Sequence, residues 1–292
     1  MLSKKRKLDY HNVNMGEKRG KGAAILKLVE IKRKILRISN GNATKEEDSI
    51  VTEYPVTIKV NGEEFVTMVC SPEFIEDMVI GYLASEGFIQ SCRDIKELWM
   101  QKKEGFVHVK TVRDNPYFQH FQHKRYVTSC CGMSRQGFVF ASDARTAKKM
   151  HGIQVQITPE TCFFLMKEMQ SQAEVFHQTG GVHNAALCDK NGVMLSRMDI
   201  GRHNALDKIY GHCLKNNISV RDKILVFSGR ISSEILMKTA KIGCEIVLSK
   251  SAPTELALNL AEELGITVVG FIRDSSLNVY THPQRIILAQ DI

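Results

Sequence analysis

The sequence has no long apolar run: none approaches the ~18 residues that cross a membrane. Its N-terminal apolar stretch, residues 23–26, is interrupted by Lys27. A signal-peptide core needs roughly 7–15 apolar residues, so this stretch is too short to be one. We therefore expect a cytoplasmic protein with no membrane partner. In that reducing compartment we expect no structural disulfides among the eight cysteines.

Common metal and nucleotide motifs are also missing. No two cysteines have C-x-x-C spacing, and no combination of cysteine and histidine has zinc-site spacing. Neither G-x-G-x-x-G nor G-x-x-x-x-G-K-[ST] occurs, which argues against a standard dinucleotide site and against a P-loop. We therefore expect no structural zinc, no standard dinucleotide site and no P-loop.

The net charge of +8 is concentrated at the N-terminus. Residues 1–37 contain twelve lysines and arginines against three acidic residues, so the rest of the chain is close to neutral. We interpret residues 1–45 as a basic tail, with a transient helix over residues 23–36. Such a tail can contact nucleic acid or anionic lipid, but a solvated extension is more common. We therefore expect no nucleic-acid partner.

Residues 46–125 carry the pattern of a small N-terminal subdomain. Two β-rich stretches between Val51 and Cys70 flank Asn61-Gly62, the strongest two-residue hairpin signal. Ser71-Pro72 then predicts a helix start, with serine as the cap and proline in the first turn, and Gly87 predicts its end. Another strand is expected over residues 106–112, and a polar connection at residues 115–125 gives the boundary.

Residues 126–292 alternate between strand and helix patterns. Thr158-Pro159 opens one helix, and two strands over residues 182–188 and 193–198 precede a helix over residues 203–215. Three further strands then begin near residues 224, 246 and 268, each separated from the next by a helix. This regular alternation is typical of right-handed βαβ units with a parallel sheet. We therefore expect an α/β domain here.

Cations and small hydroxyl residues follow each of these three strands. The carboxyl ends of parallel strands share one edge of a sheet, and ligands bind at that edge. Helix N-termini at the same edge would favour an anion. Exposed loops also carry such residues for solubility, but three in register favour a pocket for a phosphate-bearing ligand. The candidate ligand-binding residues are His183, Arg202, His203, Ser228, Gly229, Arg230, Lys250 and residues 271–276.

Two adjacent cysteines, Cys130 and Cys131, lie in a polar stretch that is typical of a loop. Such a pair packs in a core, binds metal, forms a strained disulfide or carries out chemistry. No further metal ligands lie nearby in the sequence. Arg135 would favour the thiolate, which is the reactive form, so nucleophilic or sulfur-transfer chemistry is one of the open alternatives.

Six segments of the chain, taken together, resemble the FdhD family of formate dehydrogenase accessory sulfurtransferases. The resemblance covers the chain from about residue 50 to its C-terminus. The segments read TSCCGMSRQG, FHQTGGVHNAAL, DIGRHNALDKIYG, SGRISSEILMKTA, SKSAPTELALNLAEELGITVVGFIRD and NVYTHPQRI.

The resemblance implies a fold class. It is α/β, a cytidine-deaminase-like three-layer domain with βαβ units, plus a smaller N-terminal subdomain built from a β-hairpin and a helix. The chain lacks the H-x-E and P-C-x-x-C motifs of zinc deaminases, which argues against deaminase activity.

The resemblance also implies an activity and its partners. Family members take persulfide sulfur from a cysteine desulfurase and pass it to the molybdenum or tungsten bis-molybdopterin guanine dinucleotide cofactor, which formate dehydrogenase then receives. A homodimer is expected by the same analogy. The alternative is a non-catalytic, cofactor-binding chaperone for formate dehydrogenase, in which the cysteines have no role.

Individual roles follow from the same resemblance. Cys131 corresponds to the persulfide carrier, and Ser134 stands where the family often has a second cysteine. Cys130 stands where the family often has a serine, and the alternatives are an auxiliary thiol that relays sulfur or protects the carrier, or no role. Arg135, from its charge, is the expected stabiliser of the thiolate. The family's cofactor-binding stretch corresponds to Phe271, Ile272, Arg273, Asp274, Ser275 and Ser276.

Overall fold

The computed structural model describes residues 29–113 and 147–288, and it also describes the backbone of residues 125–127. Three sheets lie in this part of the chain, with two, five and six strands. Their strands are β1 Glu30–Ser39, β2 Asn42–Val51, β3 Tyr54–Val60, β4 Glu63–Cys70, β5 Ile95–Gln101, β6 Phe106–Thr111, β7 Arg125–Val127, β8 His183–Asp189, β9 Gly192–Asp199, β10 Ile224–Phe227, β11 Ile246–Ser249, β12 Thr267–Arg273 and β13 Ser276–Val279. The helices are α1 Ile75–Ser85, α2 Pro159–Ser171, α3 Glu174–Thr179, α4 Arg202–Lys215, α5 Ser233–Ile242 and α6 Glu255–Leu264.

The expected hairpin around Asn61-Gly62 is confirmed as β3 and β4. Both turn residues have positive φ, 51° and 95°, as a tight hairpin turn requires. The two strands belong to the five-stranded sheet, whose order is β5-β6-β3-β4-β7. The short strand β7 runs parallel to β4, and its last residue, Val127, lies opposite Met68.

A second hairpin, β1–β2, lies partly within residues 1–45, where the sequence analysis expected a tail. From residue 30 onward that expectation, and that of a helix over residues 23–36, differ from the structure. Ten residue pairs join the two strands around Asn40-Gly41, whose φ values of 51° and 81° suit the same kind of turn. The many basic residues around this turn led to the prediction of a tail despite the turn signal. Much of the hairpin is exposed, including Leu36 and Ile38.

Helix α1 begins at Ile75, three residues later than Pro72 indicated. Its N-cap residue is Phe74, which has φ 51° and no capping side chain. Ser71 does not act as a cap because its hydroxyl bonds Asp199 at 3.0 Å, in a distant part of the sequence. A tertiary hydrogen bond has replaced the local one that the sequence suggested. Gly87 follows the end of the helix with φ 72°, as expected.

The six-stranded sheet has the order β13-β12-β11-β10-β8-β9. Strands β10, β11 and β12 are parallel, as expected, and antiparallel strands flank them on both sides. Helices α4, α5 and α6 pack on one face through residues such as Leu206 and Ile235. Helix α2 packs on the other face through residues such as Leu165. The expected α/β fold is thus confirmed, while its likeness to the cytidine deaminases stays a prediction.

The two larger sheets share one hydrophobic core through the crossing of α1 and α4. Gly81 and Gly211 lie at this crossing. A Cβ atom on Gly81 would overlap the carbonyl oxygen of Asp207, and one on Gly211 would overlap that of Asp77. The absence of both side chains lets the backbones touch, which holds the five-stranded sheet against α4. In the described ranges, no helix is long and apolar enough to cross a membrane.

Candidate functional site

The carboxyl ends of β10 and β11 are held together by serine side chains. The Ser249 hydroxyl donates to the carbonyl oxygen of Gly229 at 2.7 Å, and the Ser251 hydroxyl donates to that of Ser228 at 3.2 Å. The Ser228 hydroxyl accepts from the backbone N–H of Asn184 at 3.0 Å, which adds the start of β8. The sequence analysis placed these loops at one edge correctly. The serine hydroxyls hold these loops to one another by hydrogen bonds.

The third loop, after β12, extends beyond this edge. The N–H of Phe271 points to the carbonyl oxygen of Ser251 at 3.4 Å, and Arg273 and Ser276 face each other across a tight turn. Phe271 has φ 51°, which is unusual for a residue other than glycine and often marks a functional position. Its ring is 37% exposed. Ile272 is buried in the core, so it anchors the loop and does not face a ligand.

His183 and the first turn of α4 complete the edge. A Cβ atom at Gly229 would lie 3.4 Å from Nδ1 of His183, so the imidazole packs directly against the first loop. Burial lowers the pKa of His183, and the charge of Arg202 lowers it further. Nε2 of His203 lies 2.8 Å from Oε2 of Glu234, so this histidine pairs with α5. The structure therefore brings His183, Arg202 and His203 to the edge formed by the loops after β10 and β11.

Arg202, Arg230 and Lys250 lie at this edge and Arg273 lies beyond it at the end of β12, and none of the four has an ion-pair partner among the residues described. Arg230, Lys250 and Arg273 are also exposed. The N-termini of α4 and α5, which offer free N–H groups, lie at the same edge. Uncompensated positive charge at a shared edge favours an anionic ligand.

A buried polar cluster lies next to this edge, and the sequence analysis did not find it. We call Ser71, Asp199, Asn204 and Lys208 the buried hub. The Asp199 and Lys208 side chains are both fully buried, and their oxygen and nitrogen lie 2.6 Å apart. The Lys208 ammonium also donates to the Ser71 hydroxyl at 2.8 Å. Asn204 and Lys208 are four residues apart on one helix, which was the only available sequence signal.

The six cysteines in the described ranges are poor candidates for a reactive thiol. Burial raises the pKa of each one, to about 12 for Cys70, Cys162 and Cys188 and to about 11 for Cys213. Five of them are buried. Cys92 is half-buried because it packs against the main core.

Cys130, Cys131 and Arg135 lie outside the described residues. What the structure gives is the place where the chain enters their segment. Strand β7 ends at Val127 beside Met68, three residues before Ser71 of the buried hub. The segment therefore starts at the end of β4 that faces the hub.

The lowered pKa of His183 has a consequence for stability. The unfolded chain takes up a proton on this side chain near pH 6.5, whereas the folded protein does so only at lower pH. Its contribution to the free energy of unfolding is therefore present above pH 6.5 and is lost as the pH falls through the folded-state pKa. We expect His183→Gln to flatten the fall of stability between pH 7 and pH 5. Urea unfolding across that range checks this, and parallel curves for the two proteins would contradict it.

Comparison with known proteins adds three kinds of finding. The model of the FdhD/NarQ family matches residues 51–287. A sulfur carrier protein FdhD from Shouchella clausii is 56% identical over 90% of this chain and 98% of its own length. The protein of the same name from Bacillus subtilis is 56% identical over 87% of this chain and 96% of its own length. A candidate formate dehydrogenase accessory protein from Desulfotalea psychrophila has a crystal structure with TM-score 0.73 at 22% identity, covering 89% of this chain and all of the other, which indicates a shared fold.

Proposed function

Since the chain belongs to the FdhD/NarQ family, we propose that it is a cytoplasmic sulfurtransferase that carries sulfur as a persulfide. It accepts this sulfur from a cysteine desulfurase. It then passes the sulfur to the molybdenum or tungsten bis-molybdopterin guanine dinucleotide cofactor, before that cofactor enters formate dehydrogenase. Relatives named as sulfur carriers, more than half identical over most of the chain, support this proposal.

The observation that supports the proposed ligand is a group of cations, at and just beyond the sheet edge, that have no ion-pair partner in the described part of the chain. A bis-guanine-dinucleotide contains two pyrophosphates, which are multiply charged and extended. Arg230 and Lys250 come from the loops after β10 and β11, and Arg273 is the last residue of β12, so together they suit such an extended anion. Arg202 and the N-terminus of α4 add a further donor group. The exposed ring of Phe271 offers a face on which a base can stack.

The sulfur half of the proposal assigns the carrier role to Cys131. Its thiolate attacks the terminal sulfur of the donor's persulfide, the donor's S–S bond breaks, and the donor leaves as a thiolate. Cys131 then holds the sulfur as its own persulfide. Arg135 stabilises the attacking thiolate through its positive charge. Cys130 has an auxiliary role, as a relay or a protecting thiol.

The position of β7 supports bringing this sulfur to the ligand edge. Cys131 follows Val127 by four residues, and four residues span at most about 14 Å. Val127 lies beside β4, whose end contacts the first turn of α4 through the buried hub. Val127, four residues before the carrier in the sequence, thus belongs to a strand whose neighbour β4 contacts the turn of Arg202.

Sulfur loading tests the carrier role. We expect incubation with a cysteine desulfurase and cysteine, without reductant, to add sulfur to the peptide that contains Cys130 and Cys131. A Cys131→Ala variant should lose this addition completely, and a Cys92→Ala variant should keep it. Peptide mass spectrometry makes the measurement. Loading that persists in the Cys131 variant would contradict the assignment, and no loading of the wild type would favour the chaperone alternative.

Ligand binding tests the role of the sheet edge. Guanosine diphosphate is a fragment of the proposed cofactor, and it carries two phosphates. We expect Arg273→Ala to weaken its binding about tenfold, the loss typical of one charged hydrogen bond. Arg93→Ala removes an exposed arginine of the N-terminal subdomain, so it serves as the control. Isothermal titration calorimetry gives both dissociation constants, and equal effects of the two substitutions would contradict the assignment.

A further inference from the structure

Helix α1 is fixed at both ends by similar buried groups. At its start, the hydroxyl of Ser71 donates to Asp199, which pairs with Lys208. At its end, the hydroxyl of Ser85 donates to Asp207 at 2.9 Å, and Asp207 pairs with Lys238 at 2.5 Å. Both serines are almost fully buried, at 0% and 2% exposure. Each group therefore ties α1 to the layer of α4 and α5 by the same chemistry.

The first group makes additional hydrogen bonds to the ligand edge. The second oxygen of Asp199 accepts from the backbone N–H of Gly201 at 2.8 Å and from the side-chain amide of Asn204 at 2.9 Å. The same Asn204 amide donates to the carbonyl oxygen of Val69 at 2.9 Å. Gly201 directly precedes the first residue of α4. The hub thus holds, by hydrogen bonds, the turn that precedes Arg202 and His203.

The Asp199 carboxylate is fully occupied by donors that come from three elements. The Ser71 backbone N–H, the Ser71 hydroxyl and the Lys208 ammonium meet one oxygen, and Gly201 and Asn204 meet the other. Removing a donor leaves a buried charge partly unsatisfied, which is costly in a low-dielectric interior. The position of the α4 turn relative to β4 is therefore set by hydrogen-bond geometry, which is more directional than apolar packing.

We propose that Ser71 and Asn204 are positioning residues of the ligand edge. They hold the first turn of α4, with Arg202 and His203, against the end of β4, beside the strand that leads into the segment of Cys131. Neither residue touches the ligand. They fix where its phosphate-binding groups lie relative to the end of β4. This inference rests on the proposed ligand.

A comparison of two serine variants tests the inference. Ser71→Ala and Ser85→Ala each remove one buried hydroxyl that bonds an ion-paired aspartate, and each is expected to lower the melting temperature. Only Ser71→Ala should weaken binding of guanosine diphosphate, by about fivefold, the effect of losing one hydrogen bond. Ser85→Ala should leave the dissociation constant within about twofold, the scatter expected for a substitution away from the site. Calorimetric titration well below both melting temperatures gives the two constants.

A second variant keeps the test independent of folding defects. Asn204→Ala removes the amide that joins Val69 to Asp199 but leaves the ion pair of Asp199 and Lys208 intact. We expect it to weaken guanosine diphosphate binding at least as much as Ser71→Ala does. If the wild type binds guanosine diphosphate, the proposed ligand stands. Equal dissociation constants for Ser71→Ala and Ser85→Ala, or an unchanged dissociation constant for Asn204→Ala, would then overturn the inference. A wild-type protein that does not bind guanosine diphosphate would overturn the proposed ligand, and the inference with it.

Discussion

Replacing Lys208 by methionine is expected to lower the free energy of unfolding by about 3–5 kcal/mol, the usual cost of leaving one member of a buried ion pair alone. Methionine fills much of the space of the lysine stem, so the loss comes from charge and not from a cavity. Asp199 would be left without its buried cation in a site with no solvent access. The hydroxyl of Ser71 and the carbonyl oxygen of Met198 would also lose their donor.

A surface pair provides the control for this prediction. Lys110 lies 3.2 Å from Glu97, and both side chains are 52% exposed. Lys110→Met should change stability by no more than about 1 kcal/mol, because water replaces the lost interaction. Urea unfolding of the two variants makes the comparison. If Lys208→Met proved as mild as Lys110→Met, the buried pair would not hold the fold together in the way that its geometry indicates.

Replacing Gly211 by alanine is expected to lower the free energy of unfolding by about 3 kcal/mol, at the upper end for an overpacked core. The new methyl group would overlap the carbonyl oxygen of Asp77, which is backbone and cannot swing away. The two helices must then separate, and the core between the two larger sheets opens with them. At an exposed helical position the same substitution would raise the free energy of unfolding by about 1 kcal/mol. A decrease would therefore indicate that Gly211 lies at a close helix contact.

Three further variants sharpen this second test. Gly81→Ala perturbs the same crossing from the other helix, so its cost should be similar, and the double variant should cost less than the sum of the two. Gly62→Ala serves as the control, because nothing lies within 4 Å of its added methyl group and only its φ of 95° is strained. That strain costs about 1–2 kcal/mol. Thermal or urea unfolding measures all four proteins, and a Gly211→Ala protein as stable as the wild type would contradict the crossing.

Local signals in the sequence were enough to predict much of the fold. Asn61-Gly62 specified its hairpin through backbone conformation alone, and Thr158 caps α2 with its own hydroxyl. The three parallel strands followed from an even spacing of apolar stretches. Asn40-Gly41 carried the same hairpin signal as Asn61-Gly62, but the surrounding positive charge suggested a tail. Local conformational preference, not net charge, decides the structure there.

The candidate site was less predictable, because its parts depend on contacts distant in sequence. The loops after β10, β11 and β12 could be placed at one edge by topology. The pairing of Ser71 with Asp199 could not be predicted from the sequence, because it joins residues 128 positions apart. The local reading of Ser71 as a helix cap was reasonable and wrong for that reason. The carrier assignment of Cys131 came from family resemblance, and it stays a prediction.

The crossing of α1 and α4 also bears on how relatives of this protein can be recombined. Exchanging residues 52–113 between two relatives would separate Gly81 from its native Gly211 and Ser71 from its native Asp199. A chimera of that kind keeps its fold only when both parents have small residues at the crossing and matching partners in the hub. The two parts of such a chimera therefore have to match at the crossing of α1 and α4 and in the hub. Matching loops matter less to whether the chimera folds.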